Sequence, residues 1–137
     1  MLKRSLIAAA LAVAAVGGPA EAQQLPTLGT SAPSIRRIPL QKFDVPGTAF
    51  ETVIGIAEIA PNASIGRHTH PGVESGYVLE GELTLMVAGQ PDKTLKAGES
   101  YVVPNGAVHD ARTGPSGGKV IATYVVEKGK PLASPAP

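Results

Sequence analysis

Proline and glycine divide this chain into short segments, and their spacing restricts the possible folds more than any other feature of the sequence. Turn signals such as Pro61-Asn62, Pro71-Gly72 and Gly89-Gln90-Pro91 recur beyond residue 36, at intervals of about eight to twelve residues. The segments between them are rich in Val, Ile, Thr and Tyr, which favour strands, and none shows a helical period. With 16 glycines and 13 prolines in 137 residues, the chain is too rich in turn residues for a helical bundle. The sequence therefore predicts an all-β fold of the sandwich or barrel type.

The predicted strands define the expected organisation of the chain. One barrel domain is expected over residues 36–128, with a flexible leader at 23–35 and a flexible tail at 129–137. The segment 50–59 is apolar on both faces, so it lies either in the centre of the sheet or against a partner subunit. The strands are expected at residues 37–43, 50–59, 67–70, 76–79, 82–87, 100–103, 108–112 and 120–127.

The first residues have the pattern of a cleavable export signal. Lys3 and Arg4 precede an apolar run over residues 6–16, and Ala20-Glu21-Ala22 supplies small residues where a signal peptidase cuts. A run of about eleven residues is too short for a membrane span, which takes roughly twenty. We therefore predict a signal peptide over 1–22 with cleavage after Ala22, export by the general secretory route, a periplasmic or secreted location, and no membrane anchor after cleavage.

Charge and cysteine content exclude several classes of function. The chain has 12 Lys and Arg residues against 11 Asp and Glu residues, and loss of Lys3, Arg4 and Glu21 with the signal peptide leaves the mature chain formally neutral. No basic stripe is present to neutralise phosphates, so we expect no nucleic-acid partner. The chain has no cysteine, which excludes disulfides, thiol catalysis and cysteine-ligated zinc.

All three histidines of the chain lie in two short segments shaped by proline and glycine. His68 and His70 alternate along a predicted strand, so both imidazoles project to the same side, about 7 Å apart. Glu74 follows across the Pro71-Gly72 turn, and His109 follows another proline turn. Three imidazoles and a carboxylate suit one divalent transition metal ion, Fe, Mn, Ni, Cu or Zn, better than Mg or Ca. The alternative is that the histidines are scattered on loops and never meet.

Two runs of residues resemble the sequence motifs of the cupin family. Gly66-Arg67-His68-Thr69-His70-Pro71-Gly72-Val73-Glu74, followed by Gly81, resembles the first motif, and Gly98 with Pro104-Asn105-Gly106 and His109 resembles the second. The resemblance covers residues 50–126 and is to small single-domain cupins of the quercetin-dioxygenase-like type. It implies a single jelly-roll β-barrel with His68, His70, Glu74 and His109 as metal ligands inside it. Asn62 and Thr113 depart from the two motifs, but neither is at a ligand position.

The predicted metal centre points to an enzyme. Four protein ligands leave two positions open on a six-coordinate ion, and a small polar substrate could bind there. We expect an exported, metal-dependent, dioxygenase-like enzyme. Two alternatives stay open: a non-redox isomerase or lyase, and a non-catalytic protein that binds a metal or a metabolite. A closed four-coordinate zinc would instead be structural.

Tyrosines and arginines near the motifs are further candidates for the site. Tyr77 and Tyr101 could offer a hydroxyl to the substrate, and packing on the outer face of the sheet is the alternative. Arg67 and Arg112 could bind a carboxylate, although Arg67 alternates with His68 and is expected to point away from the metal. Because the mature chain has few aromatic residues, we expect a substrate smaller than a flavonoid. Similar cupins often form homodimers, so a homodimer is also an expectation.

Overall fold

The computed structural model describes residues 34–137, so the predicted signal peptide and all but the end of the predicted leader lie outside the described residues. Within this range the chain forms strands and no helix, and hence no helix that could cross a membrane. Ile35, the last residue of the predicted leader, already belongs to the first strand. The strands are β1 (Ile35–Asp44), β2 (Phe50–Ile59), β3 (His68–Thr69), β4 (Gly72–Val87), β5 (Lys93–Lys96), β6 (Ser100–Val103), β7 (His109–Glu127) and β8 (Ser134–Pro135).

The two longest strands, β4 and β7, pair with each other and connect two walls of a curled sheet. The first half of β4 pairs with the second half of β7, and this wall is extended by β6 on one side and by β2 and β1 on the other. The second half of β4 pairs with the start of β7, and β5, β3 and β8 complete that wall. The arrangement confirms the predicted all-β jelly-roll barrel, and β2 is central because β1 and β7 bond to its two edges.

Two glycine-containing segments that were predicted to end strands lie inside strands instead. The segments 76–79 and 82–87 are both part of β4, and 108–112 and 120–127 are both part of β7. The strand β4 continues through Gly81, with register shifts on either side of it. Gly81 has a φ of 72°, and a Cβ there would lie 2.2 Å from the Gly117 carbonyl oxygen. The glycine therefore allows two backbones to approach closely as the strand bends from one wall to the other.

Apolar side chains fill one part of the barrel interior and form the core. Val78 and Leu95 are fully buried, and each burial of this kind contributes about 1.5–3 kcal/mol. The strand that carries Leu95, β5, was not predicted, because it is short and flanked by lysines. The strands β1 and β2 contribute nothing to this cluster, which leaves room for a cavity beside them. The core cluster consists of Val78, Leu83, Leu85, Val87, Leu95, Val103, Ala111 and Val120.

The C-terminal segment, predicted to be a flexible tail over 129–137, forms the two-residue strand β8 in the structure. Ser134 and Pro135 pair with Thr69 and His68 of β3, and the Ala136 amide donates a hydrogen bond to the Arg67 carbonyl at 3.0 Å. Proline is tolerated here because β8 lies at the edge of the sheet, where one side of the strand needs no hydrogen-bond partner. A segment this short and rich in Pro and Ser has no periodicity from which the pairing could be predicted.

Candidate metal centre

The predicted metal ligands come from three strands that meet on the inner wall of the barrel. His68 lies in β3 and is the register partner of His109, the first residue of β7. His70 follows β3 directly, and Glu74 lies near the start of β4. Because side chains alternate along a strand, Glu74 points inward while Val73 and Ser75 point outward.

The four side chains form one compact group, the metal-ligand group. One ligand atom from each of His68, His70, Glu74 and His109 can be chosen so that all lie within 4.8 Å of one another. Glu74 Oε2 lies 2.9 Å from His70 Nε2 and 3.2 Å from His109 Nε2. His70, Glu74 and His109 are buried, whereas His68 is half-buried and lies at the solvent side of the group. The structure therefore brings together all four residues predicted to bind the ion, in a group that could hold one.

Backbone carbonyls orient all three imidazole rings in the same way. The Nδ1 atoms of His68, His70 and His109 lie 2.7, 2.6 and 2.9 Å from the carbonyl oxygens of Gly66, Leu132 and Ala107. A carbonyl oxygen only accepts, so each Nδ1 must carry the proton that it donates. In the neutral rings, each Nε2 then carries the lone pair that can bind a metal ion. The hydrogen bond from Nδ1 to a carbonyl oxygen fixes the orientation of each ring, as in known metal sites.

The environment of the histidine Nε2 atoms at the centre of the group tests whether a metal ion fits. His70 Nε2 is buried and has no hydrogen-bond partner, because its close neighbour, the Glu74 carboxylate, can only accept. His109 Nε2 also faces that carboxylate, so in a neutral ring two acceptors lie against each other. A buried acceptor without a partner is costly. A divalent cation bound by these atoms removes both mismatches, and a donor set of three nitrogens and one carboxylate suits a transition metal.

The charge distribution of the group is reflected in its pKa values. Burial raises the pKa of Glu74, but the neighbouring side chains of His109, His70 and Tyr101 outweigh it and lower the pKa to about 2. Burial lowers the pKa of His109, but the Glu74 carboxylate and the Ala107 carbonyl reverse the effect, so the pKa is raised. Burial lowers the pKa of His68. Glu74 is therefore ionised at neutral pH, as a metal ligand must be.

Of the two candidate tyrosines, only Tyr101 reaches the site. Its hydroxyl donates a hydrogen bond to Glu74 Oε1 at 2.8 Å, and burial together with the Glu74 charge raises its pKa far above the usual value. The opposing residue is Gly76, where a Cβ would lie 2.2 Å from the Tyr101 ring. The missing side chain at Gly76 therefore lets the tyrosine ring reach across β4 to the carboxylate. Tyr77 lies on the opposite, outer face of β4 and is 45% exposed.

A cavity of about 200 Å³ opens beside the metal-ligand group. Its opposite wall is formed by β1 and β2, with Arg37 and the small residues Gly55 and Ala57. Tyr124 packs its ring against His70, with centroids 4.8 Å apart. Burial and the charge of Glu74 raise the pKa of Tyr124, and the positive charge of Arg37 opposes the shift. The Tyr124 hydroxyl therefore keeps its proton and can donate it in a hydrogen bond to a ligand in the cavity.

Sequence reasoning missed three contributors to this site, namely Arg37, Tyr124 and Leu132. Arg37 and Tyr124 lie far from both motifs along the chain, and only the pairing of β1 and β7 with β2 brings them to the cavity. Leu132 acts through its backbone carbonyl, which no side-chain pattern reveals. A partial signal existed for Tyr124, because it alternates with Ala122 and Val126 on the inner face of a predicted strand.

The two arginines singled out in the sequence lie outside the cavity. Arg112 is on the outer face of β7, where its exposed guanidinium lies 3.6 Å from Asp110. Asp110 itself points away from the metal-ligand group, and its carboxylate accepts hydrogen bonds from the Ser64 hydroxyl and the Gly66 amide. These two hydrogen bonds hold the loop that precedes β3, so Asp110 helps to place His68. Arg67, the other arginine, is also absent from the residues that line the cavity.

A curled all-β barrel whose inner wall gathers three histidines and one glutamate around a single point defines a cupin-type barrel. Residues 55–129 match the cupin domain family model, and the chain belongs to this family. No curated protein matches the sequence.

Solved structures share the fold at low sequence identity. A double-stranded β-helix protein from Klebsiella pneumoniae is 23% identical with a TM-score of 0.61, over 76% of this chain and 88% of that one. A cupin superfamily protein from Desulfitobacterium hafniense is 16% identical with a TM-score of 0.60, over 78% and 94%. The DMSP lyase DddQ from Ruegeria pomeroyi is 19% identical with a TM-score of 0.59, over 62% of this chain. The chain matches only 43% of the length of DddQ.

Proposed function

We propose that this protein is a metal-dependent enzyme that acts on a small polar substrate bound beside the His68, His70, Glu74 and His109 group. The observation that carries the proposal is the combination of four convergent donor atoms with a cavity that reaches them. A cavity of about 200 Å³ is close in size to one that holds a molecule such as benzene, roughly 150 Å³. A small substrate therefore fits.

The residues around the cavity have separable tasks. A bound transition metal ion would supply Lewis acidity and, if redox-active, the ability to activate O2. Tyr101 holds the Glu74 carboxylate in place, and the Tyr124 hydroxyl can donate a hydrogen bond to a substrate oxygen. The small residues Gly55 and Ala57 leave the space that the substrate would occupy.

Oxidation by O2 is the reaction class that we favour. All three histidines belong to the metal-ligand group. The pKa values of both cavity tyrosines are raised above the ordinary tyrosine value, so both hydroxyls are protonated at neutral pH. Apart from Glu74, whose carboxylate a metal ion would engage, the described cavity therefore offers no side chain suited to abstract a proton at neutral pH. A dioxygenase-like reaction on a substrate that is already ionised needs no such base, which supports this class over isomerisation.

A non-redox lyase reaction is the second candidate. The shared fold with DddQ, a DMSP lyase, supports it, together with the Lewis acidity that a bound metal ion would supply. A non-catalytic protein that binds a metal or a metabolite is the third possibility, and the experiment below separates all three.

The test is turnover by protein loaded with one metal at a time. The metal-free protein is loaded with Fe(II), Mn(II), Ni(II), Cu(II) or Zn(II), and O2 consumption is measured with 1,2-dicarbonyl and catechol-type compounds. We expect uptake with a redox-active metal, none with zinc, and none in Glu74→Ala, while Glu80→Ala, which changes an exposed carboxylate, keeps full uptake. Product formed without O2 by the zinc-loaded protein would support the lyase class instead. Binding of small metabolites with no turnover under any loading would support a non-catalytic role.

Export and self-association complete the proposal. We propose that the chain is exported, and amino-terminal sequencing of protein from the periplasm or medium should begin at Gln23.

We also propose a homodimer, because Phe43, Val73 and Val125 lie in one register row on the outer face of the sheet and are 51%, 42% and 40% exposed. Sedimentation equilibrium should give a dimer that Val125→Lys dissociates; a monomeric unaltered protein would contradict it.

A further inference from the structure

Two consecutive arginines in β1 point to opposite faces of the sheet. Arg36 lies on the outer face, where its Nε donates a hydrogen bond to Glu58 Oε2 at 2.8 Å. Arg37 lines the cavity that contains the metal-ligand group. The ion pairs formed within residues 34–137 do not include Arg37. Arg37, which is also exposed to solvent, is therefore available for an anion.

The register of the sheet keeps the space between Arg37 and the metal-ligand group open. Arg37 pairs with Ala57, and the next inward positions along the same strands are Pro39 and Gly55. On the neighbouring strand Gly55 pairs with Ala122. Small residues therefore occupy these inward positions of the wall between Arg37 and Tyr124.

The balance of charge in the cavity favours an anionic ligand. Arg37 and Glu74 are the cavity-lining residues with permanent charge at neutral pH. Three neutral imidazoles and one carboxylate around a divalent ion leave that group one positive charge, and Arg37 adds another. A ligand with two negative charges would neutralise the cavity, a ligand with one would leave one positive charge, and a neutral ligand would leave both.

We propose that Arg37 binds the carboxylate of the substrate, so that the substrate is a small carboxylate-bearing compound, such as a 2-oxo acid, that also offers an oxygen to the metal. This inference rests on the proposed function and narrows it to one substrate class. A guanidinium suits this task because its planar set of donors matches a carboxylate with two parallel hydrogen bonds. The Tyr124 hydroxyl, which lines the same cavity, can donate a third.

The test is a binding measurement without turnover. Zinc content is measured first, and the zinc-loaded protein is then titrated calorimetrically with pyruvate and with pyruvamide, a neutral compound of the same shape. We expect Arg37→Gln to weaken pyruvate binding about ten- to hundredfold, as for loss of hydrogen bonds to a charged group, and to leave pyruvamide binding unchanged. Arg37→Lys, which keeps the charge but loses the planar donors, should give an intermediate affinity.

Arg36→Gln is the matched control, because it removes the neighbouring guanidinium from the outer face. It should bind pyruvate like the unaltered protein. Equal pyruvate affinity in Arg36→Gln and Arg37→Gln, equal losses for pyruvate and pyruvamide, or no pyruvate binding by the unaltered zinc-loaded protein would each overturn the assignment. Failure to load zinc or any of the other four metals, which is seen before any titration, would instead overturn the proposed metal-dependent function.

Discussion

The Tyr101 hydroxyl donates a hydrogen bond to Glu74 Oε1, while the other carboxylate oxygen, Oε2, faces His70 and His109. The tyrosine therefore fixes the rotation of the one carboxylate in the metal-ligand group. Without the Tyr101 hydroxyl, Oε1 would have no hydrogen-bond partner, and the carboxylate could rotate so that Oε2 turns away from the two imidazoles.

Replacing Tyr101 with Phe should weaken metal binding without unfolding the barrel. Loss of a hydrogen bond to a metal ligand typically costs about ten- to hundredfold in affinity, and we expect a change of that size for zinc in competition with a chromophoric chelator. Tyr77→Phe removes a hydroxyl from the outer face of β4 and is the control. Equal zinc affinity in the two variants would show that Tyr101 does not position Glu74.

Removing a ligand should have a larger effect than removing its support. His70→Ala and Glu74→Ala should each lose most of the bound metal, as measured by elemental analysis after dialysis, while circular dichroism still reports a folded β protein. Glu80→Ala, which changes a carboxylate with a 69% exposed side chain, should keep its metal. Full metal content in both ligand variants would place the ion elsewhere.

Metal affinity should fall as the pH is lowered. Protons compete with the ion for the imidazoles, and the raised pKa of His109 means that this competition begins above the ordinary histidine value of about 6.5. The lowered pKa of His68 delays its protonation, so the dependence should steepen on further acidification. Each displaced proton contributes about tenfold per pH unit. Zinc titrations at several pH values measure this slope, and an affinity that stays constant down to about pH 4.5 would exclude histidine ligands.

Shortening the C-terminus should weaken the metal centre although it removes no ligand. A chain that ends at Gly129 lacks the Leu132 carbonyl, which His70 Nδ1 approaches to 2.6 Å, and also lacks β8. We expect about ten- to hundredfold weaker zinc binding, with the rest of the barrel folded. Removal of Pro137 alone leaves β8 intact and should have no effect. If the two truncated chains bound zinc equally, the tail would have no part in orienting His70.

The sequence was most informative where local pattern and local structure coincide. The strand at 50–59 was predicted with the bounds that β2 has, because apolar residues fill it and turn residues flank it. Three members of the metal-ligand group were predictable from closeness in sequence, because proline and glycine turns bring His68, His70 and Glu74 together within seven residues. In these cases the information lies in neighbouring residues.

What could not be predicted depends on pairings between distant segments. Arg37 and Arg36 are equivalent in the sequence, and only the pairing of β1 with β2 decides which of them faces the cavity. Gly81 was expected to end a strand, since the sequence does not show that Gly117 approaches it from across the sheet. The partner of His70 Nδ1 is a backbone atom 62 residues away, so no residue type marks it.

The hydrogen bond between the Ala136 amide and the Arg67 carbonyl has a practical consequence for how this protein is produced. A purification tag or fusion partner joined after Pro137 would begin one residue beyond that bond, on the segment that also holds His70. Metal content measured on such a fusion would report the effect of the added residues together with the properties of the site. Preparations meant to establish the native metal should therefore carry any added residues away from β8.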